Sequence, residues 1–173
     1  MSDGEKKCGS TFDYFSYWQK RLYDNDKIED CQERLFGEHQ VPGKVLELGC
    51  GCGRLSPLFK DYLGVDLNPR AIEKAKATYA DKKFKVADIV TDEIGQAENI
   101  VTCAFLQHIP DGLVEDVAKK IEAKNIMLFE SVLEGYRAPW CFSHDYEELF
   151  GKAHYIESIP HTPARFMVFR RGE

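Results

Sequence analysis

The chain has 173 residues, 43% of them hydrophobic and 30% charged, which suffices for one globular core and leaves no room for a second substantial domain. A formal net charge of −6 excludes a general affinity for nucleic-acid backbones, which requires a surplus of Lys and Arg. The apolar stretches are too short to span a bilayer, and residues 1–10 lack the apolar core of a signal peptide, so the expected location is cytoplasmic and no membrane partner is expected.

In chain order, the first forty residues carry aromatic and charged side chains in a helical pattern, with no strand before Val45. Residues 44–48 form the first expected strand and end in glycines. Residues 62–66 form a second, with Asp66 at its tip. Asn68 and Pro69 then supply an N-cap and a first-turn proline for a helix over 70–79, whose buried stripe is Ala71, Ile72 and Ala75. Residues 84–87 read as a third strand closed by Asp88, and 99–105 as a fourth, strongly apolar one. Between them, at 91–97, a helix is nearly absent.

Pro110 and Asp111 open a helix to about Glu122, with Leu113, Val114, Val117, Ala118 and Ile121 on one face. A fifth strand covers 125–130 and a short helix 145–150. Two final strands, about 153–159 and 165–170, are separated by Pro160 and Pro163 and pair most simply as an antiparallel hairpin. Alternation of short apolar runs with helical patterns is the signature of parallel βα units.

The six cysteines (Cys8, Cys31, Cys50, Cys52, Cys103 and Cys141) include no C-x-x-C pair or Cys/His knuckle, so reduced thiols and no metal site are expected. The chemistry concentrates instead at Glu47, Gly49, Gly51 and Gly53. Glycines there permit a sharp turn and a close approach to a ligand. A helix starting after them would add unpaired N–H groups and a positive dipole end. A dinucleotide site uses G-x-G-x-x-G to seat a pyrophosphate. Here the spacing is G-x-G-x-G with Glu47 two residues ahead, and a carboxylate there repels a pyrophosphate but suits a ligand bearing an ammonium group.

E-x-G-x-G-x-G after a strand resembles the first motif of the class I S-adenosylmethionine-dependent methyltransferases, and the likeness continues over about residues 44–170. Residues 64–69, Gly64 through Asp66 to Pro69, resemble the second motif. Residues 86–89, with Asp88 and Ile89, resemble the third. Residues 99–110, with Phe105 and His108, resemble the fourth strand and its loop. The resemblance implies an α/β, Rossmann-like single domain. Its sheet would be mostly parallel and seven-stranded, in the order 3-2-1-4-5-7-6, closing with an antiparallel hairpin. It implies S-adenosyl-L-methionine as cofactor. Asp66, followed by Leu67, would take the ribose hydroxyls; Asp88 would meet the adenine amino group, and Ile89 would pack on the ring. Phe105 would line the methyl end.

Residues 12–23 place Tyr14, Trp18 and Arg21 on one helical face. Small methyltransferases of this kind keep a Tyr-Trp-x-x-Arg helix over the cofactor. The resemblance therefore implies a division into a lid or substrate segment at 1–40 and a cofactor-binding domain at 41–173. In the lid, Trp18 would face the sulfonium and Arg21 the methionyl carboxylate. Catalytic contacts are expected from His108 and Tyr14, and further acceptor contacts from Tyr136, Arg137, Trp140 and His144. A small-molecule acceptor is the first expectation, with a protein acceptor or a silent cofactor-binding partner subunit as alternatives. A nicotinamide-dependent oxidoreductase on a related sheet is the reading from another class.

Overall fold

Strand β1 (Val45–Leu48) is buried along its whole length, as a central parallel strand covered on both faces must be. In the computed structural model, which describes residues 28–132 and 141–172, β1 pairs in parallel with β2 (Tyr62–Asp66) on one side and β4 (Asn99–Cys103) on the other. Strand β3 (Lys83–Val86) lies outside β2, and β5 (Asn125–Ser131) lies beyond β4. β7 (Ala164–Arg170) runs antiparallel to β5, and β6 (Tyr155–Ser158) pairs antiparallel with β7. The described strands thus form one sheet in the order β3-β2-β1-β4-β5-β7-β6, as the resemblance implies.

Alternate side chains of the strands build two cores. On one face Leu46, Ile100, Ile126 and Leu128 pack with Val114, Val117 and Ala118 of α3 (Asp111–Lys120) and with Phe150 of α4 (Tyr146–Phe150). On the other, Val45, Val101, Met127 and Val168 pack with α1 (Asp30–His39) and α2 (Pro69–Thr78). Leu35 and Phe36 of α1 are fully buried, so this part of the segment ahead of residue 41 packs into the core of the sheet domain. Asn68 caps α2 as its sequence position suggests, accepting from the N–H groups of Arg70 and Ala71.

Two differences from the sequence expectation matter for the site. No α-helix follows the glycine loop. Only a 3-10 turn, Ser56–Leu58, occupies the eight residues between Gly53 and β2, because Pro57 and the short connection leave no length for a helix. The dipole assigned to that position is therefore absent. β4 ends at Cys103, two residues early, because Ala104 turns the chain with φ +53°.

Candidate active site

The parallel strands end together at one edge of the sheet, and the connections from β1 and β4 leave toward opposite faces. That reversal opens a crevice at the strand ends, where open α/β sheets bind their ligands. The loops after β1, β2, β3 and β4 all meet there.

The loop after β1 carries Gly49, Gly51 and Gly53 at φ +69°, +53° and +79°, a conformation that L side chains rarely adopt. The three glycines serve different ends. A Cβ on Gly49 would stand 2.1 Å from the Phe105 ring, and one on Gly53 would stand 2.7 Å from Phe84. Both are required by internal packing. Among the described residues, a Cβ on Gly51 would meet no atom within 4 Å. Its backbone faces open space, which is the cradle a close-approaching ligand needs.

Asp66 is bound directly to that loop. One carboxylate oxygen accepts the Gly51 N–H at 2.8 Å and the other accepts the Asn68 N–H at 2.8 Å. Asp66 therefore does not cap α2, which is Asn68's work, and each oxygen keeps capacity for a further donor. Burial raises its pKa, partly offset by the two N–H bonds.

Glu47 is 2% exposed and accepts the Tyr62 hydroxyl proton. Tyr62 can reach it because Gly64, beside Glu47 in the neighbouring strand, has no side chain; a Cβ there would stand 2.7 Å from the Tyr62 hydroxyl. Burial pushes the Glu47 carboxyl up to about 7, against the Tyr62 hydrogen bond and the nearby Arg54 charge. Such a carboxyl gains most from a cation placed beside it.

Asp88 folds its carboxylate onto the Val90 N–H at 2.9 Å and starts a turn, with its own N–H bound to Asp92. Ile89 is 6% exposed and belongs to the α3-side core. Leu67 is half-buried just beyond Asp66.

A family model for a methyltransferase domain matches residues 17–167. A protein-L-isoaspartate O-methyltransferase of Dechloromonas aromatica (strain RCB) is 33% identical over 97 residues, covering 50% of this chain and 45% of that protein. The chain therefore spans less than half the length of that relative. In fold it is similar to TehB from Haemophilus influenzae, with a TM-score of 0.69 at 18% identity over 92% of this chain and 67% of that one. A TehB-like SAM-dependent methyltransferase from Corynebacterium glutamicum gives 0.62 at 21% identity over 81% and 86%. The chain belongs to the class I S-adenosylmethionine-dependent methyltransferases.

In this chain the loop after β4 holds Phe105 against Gly49, and His108 half-buried two residues beyond the Leu106 backbone. Gln107 lies between them, its side-chain nitrogen 3.3 Å from His108 Nε2. His144, expected among the acceptor contacts, has a different task. It is 7% exposed, and its Nε2 lies 3.1 Å from the Leu106 carbonyl and 3.0 Å from that of Ile109. It secures the loop. The proposed lid residues Tyr14, Trp18 and Arg21, and the acceptor candidates Tyr136, Arg137 and Trp140, lie outside the described residues.

Sequence reasoning missed the groups that organise the strand ends. Arg54 donates to Gln32 of α1 and lies 3.0 Å from the Cys103 sulfur, joining the glycine loop, α1 and β4. Burial still pushes the Cys103 thiol up to about 12, so it stays protonated at neutral pH and is no nucleophile. Cys31, Cys50, Cys52, Cys103 and Cys141 carry free thiols. Among the described residues no group of three or more His, Cys, Asp or Glu side chains is arranged for a metal ion, and no helix is long and apolar enough to cross a membrane. Glu130, fully buried at the end of β5, was also missed. Its signal was present: an acid closes an apolar strand there, as Asp66 closes β2.

Proposed function

We propose that this chain transfers the methyl group of S-adenosylmethionine to a small-molecule acceptor. The observation that carries the reading is the Gly51–Asp66 pair: a backbone with open space where a Cβ would stand, hydrogen-bonded at 2.8 Å to a carboxylate with remaining acceptor capacity. Asp66 would take the two ribose hydroxyls, and Leu67 and Ile89 would flank the adenine, with Asp88 on its amino group. Glu47, raised to about 7 by burial, supplies the counter-charge for the methionyl ammonium. Phe105 would wall the methyl end. The donor, when bound, supplies a sulfonium-activated methyl electrophile, so the chain's own task is to orient, desolvate and align an acceptor.

His108 and Tyr14 would contact that acceptor, and Trp18 and Arg21 would close over the sulfonium and the carboxylate from residues 1–40. The named relative is a protein O-methyltransferase, which supports a protein acceptor as a second reading. That alignment covers only half of this chain.

Titration calorimetry with S-adenosylhomocysteine and NADH tests the cofactor assignment. Binding of the first and not the second is expected; binding of NADH alone would overturn it. For the acceptor, a tritiated methyl donor incubated with cell extract should place label in a small-molecule product of the ultrafiltrate that chromatography separates from the donor and that forms only when the protein is added. Label retained wholly on protein would replace the small-molecule acceptor by a protein one.

A further inference from the structure

We propose that Glu130 is a positioning residue for methyl transfer, holding the loop 105–108 and, through Gln107, fixing the ring of His108. The proposal rests on the reading of this crevice as the methyl-donor and acceptor site. Glu130 Oε1 accepts from the Thr102 hydroxyl at 2.7 Å, the Phe105 N–H at 3.0 Å and the Leu106 N–H at 3.1 Å. Oε2 accepts from the Gln107 N–H at 3.3 Å. One carboxylate thus gathers the consecutive amides that the turn at Ala104 exposes. A buried carboxylate is a costly way to fill space, and an apolar side chain would pack the end of β5 at less expense. What the carboxylate adds is the shape of the loop.

That shape reaches both sides of the crevice. Phe105 lies so close to Gly49 that a Cβ would stand 2.1 Å from its ring, so movement of Phe105 is felt by the glycine loop. On the acceptor side, the Gln107 side-chain oxygen accepts the Ser131 N–H at 2.9 Å, which settles the orientation of the amide. Its NH2 group then donates to His108 Nε2 at 3.3 Å. A nitrogen that accepts carries its lone pair, so the ring proton of neutral His108 resides on Nδ1. From the opposite side the Phe142 N–H donates to the Gln107 carbonyl at 2.7 Å, and His144 holds the carbonyls of Leu106 and Ile109. The loop is clamped on its N–H side by Glu130 and on its C=O side by His144 and Phe142.

Glu130→Gln tests the assignment. It keeps the volume and the three bonds at Oε1, but turns an NH2 group toward the Gln107 N–H. The expected result is cooperative melting, S-adenosylhomocysteine affinity reduced on the order of tenfold, and loss of the Nδ1–H signature in the ring ¹⁵N spectrum of unliganded His108. A lowered melting temperature with affinity and ring spectrum unchanged overturns the proposal, because a merely structural group would behave so. Should Glu130→Gln fail to fold, Gln107→Leu removes the relay while leaving the Glu130 carboxylate in place. An unchanged His108 tautomer in that variant overturns the proposal as well. Wild-type protein that binds no S-adenosylhomocysteine would refute the methyl-donor reading, while the ring spectrum of the unliganded protein still decides the role of Glu130.

Discussion

Replacing Glu47 by Gln removes one buried titration and leaves the geometry nearly unchanged, since the amide oxygen still accepts the Tyr62 hydroxyl. In the folded protein Glu47 titrates at about 7, against 4.5 without burial. Its folded pKa is raised, so between these values the folded state holds a proton that the unfolded chain has released, and stability falls as pH rises through that window. The displacement from 4.5 to about 7, at about 1.4 kcal/mol per pH unit, is worth about 3 kcal/mol in full. Between about pH 5 and about pH 8 most of it is expressed, about 2–3 kcal/mol. Urea unfolding of both proteins at those two pH values is the assay. Asp66 and Glu130 are also raised by burial, but they titrate in both proteins, so the difference between the curves reports Glu47 together with its coupling to Asp66. Wild type should lose about 2–3 kcal/mol more than the variant on going to the higher pH. A bound ammonium reverses the penalty by favouring the carboxylate, so S-adenosylhomocysteine affinity should rise over the same range in wild type and stay flat in Glu47→Gln. Parallel stability curves for the two proteins would refute the reasoning.

Asp66→Ala should fold and lose about 2–3 kcal/mol of S-adenosylhomocysteine affinity by calorimetry, the scale of charged hydrogen bonds to a diol. Gly51→Val should melt cooperatively, with a strain penalty of about 1–2 kcal/mol from its left-handed backbone, yet bind no S-adenosylhomocysteine. Gly49→Ala should instead melt far lower, because its Cβ would stand 2.1 Å from the Phe105 ring. Trp18→Ala should cost about 1–2 kcal/mol of cofactor affinity if the ring faces the sulfonium, and removal of residues 1–24 should reduce turnover more than it reduces cooperative melting.

The parts of the fold that the sequence made legible are those where local chemistry and global pairing agree. Residues 126–129 form a continuous apolar run and 45–48 one interrupted only by Glu47, because central strands are covered on both faces, and Asn68-Pro69 announces a helix start that tertiary packing had no reason to override. Boundaries moved where a single backbone torsion decides them. Ala104 ends β4 at φ +53°, and nothing in the apolar run 99–105 signals it. The helix expected after the glycine loop failed for want of length. In the site, glycine spacing revealed the loop but not the division of work within it. Gly49 and Gly53 accommodate Phe105, which follows β4, and Phe84, which lies in β3, and such long-range neighbours leave no mark on spacing. For Glu130 the sequence showed the acid that closes an apolar strand but not what it holds, since its partners at Thr102 and 105–107 precede it by more than twenty residues.

The missing helix also changes how the site selects its ligand. A pyrophosphate-binding crevice combines glycine-loop amides with a helix N-terminus, and both attract anions. Here the loop passes into the 3-10 turn Ser56–Leu58, and the Gly51 N–H is already given to Asp66. The charged groups at the neighbouring strand ends are mainly carboxylates: Glu47, Asp66, Asp88 and Glu130. Arg54, the cation beside them, is engaged by Gln32 and Cys103. A diphosphate entering the crevice would lose its hydration beside these carboxylates, a cost that weighs heavily at low local dielectric. A ligand with hydroxyls, an amine and a sulfonium meets acceptors throughout. On the proposed reading, selection for a methyl donor over a dinucleotide would lie in the sign of the charge at the strand ends as much as in the glycine spacing, and Glu47, whose burial penalises its ionisation until a cation is placed beside it, would contribute to it.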